Sequence, residues 1–170
     1  MELVYYILEN MMATTHAIVG VTIAKAVPDP ILAGVLIVTS HYLMDLIPHW
    51  DFGTDWKSRS KGATGVLAAI DTLMAYLIVW IIFSSQLPLL TILVAASLAD
   101  LPDWLEAPYF ILMASKEGHH KASGGTFGLW LGKIHKFQED YIHTKANFTQ
   151  GVLTQIVTVI FFYLLLHPHL

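Results

Sequence analysis

The chain contains no cysteine. Disulfide frameworks and thiolate metal sites are therefore excluded, and any metal bound here must be held by His, Asp and Glu. Charge is scarce as well: 13% of the residues are charged, against roughly one quarter in soluble domains. The net charge is −4 and the nine Lys and Arg residues are scattered, so no basic stripe is available to track phosphates and nucleic acid is not an expected partner. No secretory leader is expected from the residues at the start. The first fifteen residues carry Glu2 and Glu9, lack a basic start and show no small-residue cleavage site, so the first helix is expected to remain in place. Internal repeats and low-complexity stretches are absent, which predicts a single unit over residues 1–170.

What the chain has in abundance is apolar surface. Hydrophobic residues make up 55% of it and the mean hydropathy is +0.59, values that point to lipid as the solvent. A helical crossing takes about 20 largely apolar residues. Segments 31–47, 64–83, 87–113 (interrupted by Pro102) and 151–167 meet that description. A further apolar stretch over 11–27 becomes a full span if its helix begins near residue 5. Pro28-Asp29-Pro30 separates the first two spans, and Gln86 with Pro88 separates the third from the fourth. The predicted fold is an all-α polytopic membrane bundle of about five helices. Segment 116–150 is polar, contains Ser123-Gly124-Gly125, and reads as a structured loop or a surface helix.

Basic residues fix the orientation, because Lys and Arg near span ends are retained on the cytoplasmic side. Lys57, Arg59, Lys61, Lys116, Lys121, Lys133, Lys136 and Lys145 all fall in the connections after the second and fourth spans, and only Lys25 lies elsewhere. Those two connections are predicted to face the cytoplasm, with the chain in the cytoplasmic (inner) membrane.

The polar residues inside the apolar runs are the candidate site. His41, Asp45 and His49 recur every four residues, so on a helix they lie on one stripe with about 40° of drift. His41 and His49 would be roughly 12 Å apart along the axis, so one ion cannot take all three from a straight helix. Pro48 is expected to end the helix and let His49 and Asp51 turn inward. His16, Asp71 and Asp100 interrupt other spans, and Asp103 and Glu106 follow Asp100 at three-residue spacing. Each intramembrane carboxylate costs about 2.5–3.5 kcal/mol on insertion scales, and a divalent cation offsets that cost. His16, His41, Asp45, His49, Asp71 and Asp100 are the expected metal ligands, reaching one level just inside the cytoplasmic boundary from four helices. Carboxylates with imidazoles suit zinc first, and also manganese or iron, in a site of two or more ions. Asp51, Asp103 and Glu106 are candidate general bases. His119, His120, His135 and His143 sit in polar segments where surface histidines are ordinary, and Trp50, Trp56 and Trp104 read as interfacial belt residues.

At Thr15-His16-Ala17-Ile18-Val19-Gly20, at Ser40-His41-Tyr42-Leu43-Met44-Asp45-Leu46-Ile47-Pro48-His49 and at Leu101-Pro102-Asp103, the chain resembles the membrane-bound metal-dependent hydrolases of the YdjM-like family. More distantly, the His41 to His49 block is similar to the zinc-ligand helix of zinc-dependent phospholipase C and of the related single-strand nucleases. The spacing from Asp45 to His49 is shorter than in that helix, the N-terminal Trp ligand of the phospholipases has no counterpart, and Leu-Pro-Asp follows the His block rather than preceding it. The resemblance implies metal-dependent hydrolysis of phosphate esters.

Taken together, these residues predict a membrane-embedded metal-dependent hydrolase acting on a phosphate ester of a membrane lipid through metal-activated water. Lys57, Arg59 and Lys121 are candidate contacts for the anionic headgroup. The rival expectations are a transporter or an ion or proton pathway, since intramembrane Asp and His also mark those, and a structural membrane protein with a bound metal.

Overall fold

A computed structural model describes residues 12–49, 60–141 and 146–166. Among these it is all-helical, with six α-helices: α1 (Met12–Ala26), α2 (Pro30–Asp45), α3 (Lys61–Phe83), α4 (Leu89–Pro108), α5 (Gly125–Tyr141) and α6 (Phe148–Leu166). Asp51, Trp50, Trp56, Lys57, Arg59, His143, Lys145 and residues 5–11 of the first predicted span lie outside the described residues.

Local chemistry sets the helix boundaries. Before α2, the Asp29 carboxylate accepts from the Leu32 N–H at 2.7 Å and Pro30 occupies the first turn, the pairing expected of a helix start. Ser60 caps α3 by accepting from the Ala63 N–H. Asn147 does the same for α6 through the Gln150 N–H. Pro102 is accommodated within α4, and after Pro108 the chain widens into a π-helical turn, Tyr109–Met113, closed by the Ala114 N–H on the Tyr109 carbonyl at 2.8 Å.

The short α1 is the axis of the bundle and packs against α2, α3, α4 and α6. From Ala13 to Ile23 it is buried on nearly every side. Its closest approach is at Gly20, where an added Cβ would stand 2.8 Å from the Ala99 Cβ, 3.2 Å from the Ala95 carbonyl oxygen and 3.2 Å from the Ile37 Cγ2. Only glycine allows α1, α2 and α4 to meet this closely. Gly20, Ile37 and Ala99 are each one turn from His16, His41 and Asp103 respectively, so the junction sets the distance between the site's side chains.

In the interior the small residues Ala17, Ala33, Ala75, Ala95, Ala96 and Ala99 pack among Val19, Ile37, Val79, Phe83 and Ile92, whereas Ile31, Val35, Leu73, Ile81, Leu90, Ile160 and Leu164 stand exposed on the outside. Two helices, Lys61–Phe83 and Thr149–Leu166, are long and apolar enough to cross a membrane. This is fewer than the four or five spans predicted. The difference has local causes: α2 is apolar but only 16 residues long, α1 is described over 15, and α4 carries Asp100, Asp103 and Glu106 in its last turns.

Candidate metal centre

His16 from α1 and His41 and Asp45 from α2 converge on one point. His16 Nε2 is 3.4 Å from Asp45 Oδ1 and His41 Nε2 is 3.3 Å from Asp45 Oδ2, so each carboxylate oxygen faces one imidazole. The two rings stack with centroids 4.1 Å apart. Both histidines are 2% exposed, which leaves water little part in satisfying them. Asp103 on α4 adds an oxygen 3.5 Å from His41 Nε2, while more than half of its side chain is exposed. The Asp thus stands at the rim of a buried centre.

The far nitrogen of His41 decides what the near one can do. Nδ1 lies 2.7 Å from the Ala99 carbonyl oxygen, which only accepts, so Nδ1 carries the proton and donates it. A neutral His41 then presents a lone pair at Nε2 to two carboxylate oxygens, which is repulsive without a cation between them. Backbone anchoring of the remote nitrogen is also how metal-ligating histidines are oriented. The spacings fit a metal: 3.3–3.5 Å exceeds a good N–H···O bond of about 2.7–3.2 Å. It matches the roughly 3.3 Å between neighbouring ligands of a tetrahedral ion with bonds of about 2.0–2.1 Å. His16, His41 and Asp45 together can hold a metal ion.

The other predicted ligands take different places. Asp71, reaching in from α3, accepts from the Ala13 N–H at 3.2 Å in the first described turn of α1. Asp100 is 1% exposed, and its two oxygens have no hydrogen-bond partner among the described residues. The charged groups acting on it electrostatically are Asp103, Asp71 and His41. His49 comes after the end of α2. Its Nδ1 donates to the Ile47 carbonyl at 2.7 Å, and it is buried against a cavity of about 10 Å³ lined also by Thr15, His16, Met44 and Thr154, room for about one water. Glu106 stands apart from the triad, with Oε2 3.5 Å from His135 Nδ1.

Two contributions were not apparent from sequence. His135, assigned there to a polar segment and an ordinary surface position, is buried at 6% exposure and stacks on Tyr109 with centroids 4.2 Å apart. The signal was its spacing from Gly128 and Gly132, which share its buried face of α5. The second is α6, whose Gln155 accepts from the Thr15 hydroxyl at 3.2 Å and whose Thr154 hydroxyl donates to the Pro48 carbonyl at 2.5 Å. Together with the Ala146 N–H on the His49 carbonyl, these bonds hold the segment carrying His49 against the bundle. His120 is exposed, and the His119 side chain lies outside the description.

The fold and the site define an all-helical bundle with a buried His-His-Asp centre. No family model matches the chain, and neither a curated protein nor a solved structure matches it.

Proposed function

We propose that this chain is a polytopic helical protein of the cytoplasmic membrane that binds a divalent metal, zinc foremost, on His16, His41 and Asp45. We further propose that it uses the metal to hydrolyse a phosphate ester of a membrane lipid. The observation carrying the metal reading is the His41 ring, with its Nδ1–H committed to Ala99 and its Nε2 aimed at Asp45 and Asp103. The membrane reading is supported by the apolar exterior of the bundle. Leu, Ile and Val cover much of the exterior, and at the helix contacts of the interior Ala and Gly sit among buried Val, Ile and Phe; an apolar exterior with small residues at helix contacts is the arrangement favoured where lipid is the solvent.

A divalent cation at this centre would supply charge to a phosphoryl oxygen and acidity to water. Asp103, half-exposed beside His41, is placed to take the proton, and the likeness of the His41 to His49 block to metal-dependent hydrolases supports the reaction class. A transport pathway requires polar groups in both halves of the bundle. Here, beyond Gly20, the buried face of α1 holds Val21, Thr22 and Ile23, with the Thr22 hydroxyl donating to its own helix at Ile18. That favours a site open at one end.

The test is elemental analysis of the detergent-purified chain, followed by assays against phospholipid and isoprenoid phosphates. Stoichiometric metal and phosphate release that both disappear in Asp45→Asn are expected. Metal-free protein, or hydrolysis unaffected by Asp45→Asn, overturns the reading.

A further inference from the structure

Helix α5 has three chemically distinct faces. The first packs on the bundle: Gly128, Gly132 and His135 are buried, His135 stacks on Tyr109, and Leu131 packs against Tyr109, Ala114 and Ala122. About 150° around the helix, Phe127, Trp130, Ile134, Phe137 and Tyr141 are all exposed. At 100° per residue they fall within a stripe only about 80° wide. The remaining face carries the exposed Lys133, Lys136 and Asp140, the last two paired at 2.7 Å, with Leu129 among them. A surface helix surrounded by water needs two faces, one apolar and one polar. The third, aromatic face is unexplained by the fold.

We propose that this stripe is seated in the lipid bilayer, with α5 lying along the membrane interface at the mouth of the metal centre; the proposal rests on the membrane reading above. Its position supports this occupant. α5 packs on the His119–Lys121 turn and on the π-helical turn at the end of α4, and the π-helical turn is tied to the start of α3 through the Lys61 ammonium on the Leu112 carbonyl. This is the end of the bundle where α1 begins and α2 finishes, and so the end holding His16 and Asp45. The apolar exterior of α4 continues through the exposed Leu105 and Leu112 up to this level.

Composition points the same way. Trp, Tyr and Phe with lysine alongside is the pattern of interfacial helices, whose rings sit at the headgroup boundary while lysines reach back to water. A second copy of the chain is the competing occupant, since the stripe has a three- and four-residue rhythm. Two-stranded coiled coils, however, require Leu, Ile or Val at those positions, and 17 residues supply little more than two heptads, too few for a stable pair. An aromatic strip beside the site suits an enzyme whose substrate arrives through the membrane plane.

The test reconstitutes full-length protein in phosphatidylcholine vesicles containing lipids brominated either near the glycerol or near the chain end. Two variants each keep one of the five tryptophans, the others being Phe: Trp130 on α5, and Trp80, exposed on α3, as the membrane control. Trp130 should be shielded from aqueous iodide and quenched mainly by the shallow bromines, at an apparent depth of roughly 5–10 Å. If Trp80 is quenched by lipid while Trp130 is open to iodide, the α5 proposal fails and the membrane reading stands. Shielding of Trp130 from both quenchers means a protein covers the stripe, and likewise overturns the proposal. A Trp80 that lipid does not quench sinks both. Should the multiple replacements prevent folding, the cysteine-free chain permits Phe137→Cys and Lys133→Cys carrying a spin label. Greater access to oxygen than to a polar nickel complex is expected at 137 and the reverse at 133; equal polar access at both overturns the proposal.

Discussion

A neutral imidazole whose Nδ1–H is held by a carbonyl has a lone pair at Nε2, and in His41 that nitrogen faces Asp45 Oδ2 and Asp103 Oδ1. Asp45 in turn offers its second oxygen to His16. With His41 neutral these are acceptors around one point, and the proposed cation would hold them together. Removing one ligand should therefore cost more than the 10–100-fold in affinity typical of outer partners. His41→Ala and Asp45→Asn are each predicted to weaken metal binding by more than ~100-fold, measured by competition with a chromophoric chelator. Unchanged affinity in either would remove it from the ligand set. Asp103 has a different predicted signature because its carboxylate is at the exposed rim. Asp103→Asn should retain most of the metal while lowering turnover of a lipid phosphate by about 10²–10⁴-fold, the range for loss of a general base. Parallel loss of metal and activity would make Asp103 a ligand instead.

Helix packing, not the ligands alone, fixes these distances. At Gly20 the neighbouring helices leave no space for a Cβ, whereas at Gly34 the nearest atom to an added Cβ is Leu98 Cδ1 at an ordinary 3.6 Å. Gly20→Leu is thus expected to destabilise the bundle by about 1–3 kcal/mol or more through overpacking. It should also weaken metal binding, although residue 20 touches no ligand. Gly34→Ala should leave both unchanged; a tolerant Gly20 in thermal unfolding and metal titration would mean the junction does not set the site. This requirement was invisible in the sequence, because a glycine's neighbours belong to other helices. The all-helical class was legible, since long apolar runs and the caps at Asp29-Pro30 and Ser60 act locally. His16, His41 and Asp45 were also nominated from the sequence, by polarity inside apolar runs and by four-residue spacing. Their selection out of a larger set was not legible, because it depends on which faces α1 and α2 turn to each other. Nor was the pairing of Glu106 with His135, which joins the end of α4 to α5 across a chain reversal.

For the molecule as a whole, the connectivity of the bundle carries the topology. α1 and α2 are joined by a tight turn at Pro28-Asp29, and α3 and α4 by another near Gln86. Lys25 donates to Gln86 at 2.6 Å, so both turns lie at one end. At the other end, α1 meets α2 through His16 and Asp45, α3 through Ala13 and Asp71, and α6 through Thr15 and Gln155. The start of α3 and the segment after α4 therefore share the end that holds His16, His41 and Asp45. With 23 residues, α3 is about 35 Å long at 1.5 Å per residue, enough to cross a hydrocarbon core of about 30 Å. The sequence contains no cysteine, so introduced cysteines report their side without background. Gly62→Cys and Lys116→Cys should resist a membrane-impermeant maleimide in intact cells and react after permeabilisation, because lysine-bearing connections are held in the cytoplasm. Ser85→Cys, in the exposed turn between α3 and α4, should react in intact cells. All three positions are exposed, so differences in labelling report the membrane side rather than burial in protein. Equal labelling of positions 62 and 85 would mean that α3 does not cross a membrane, and the buried His and Asp residues would then belong to the core of a bundle that does not span lipid.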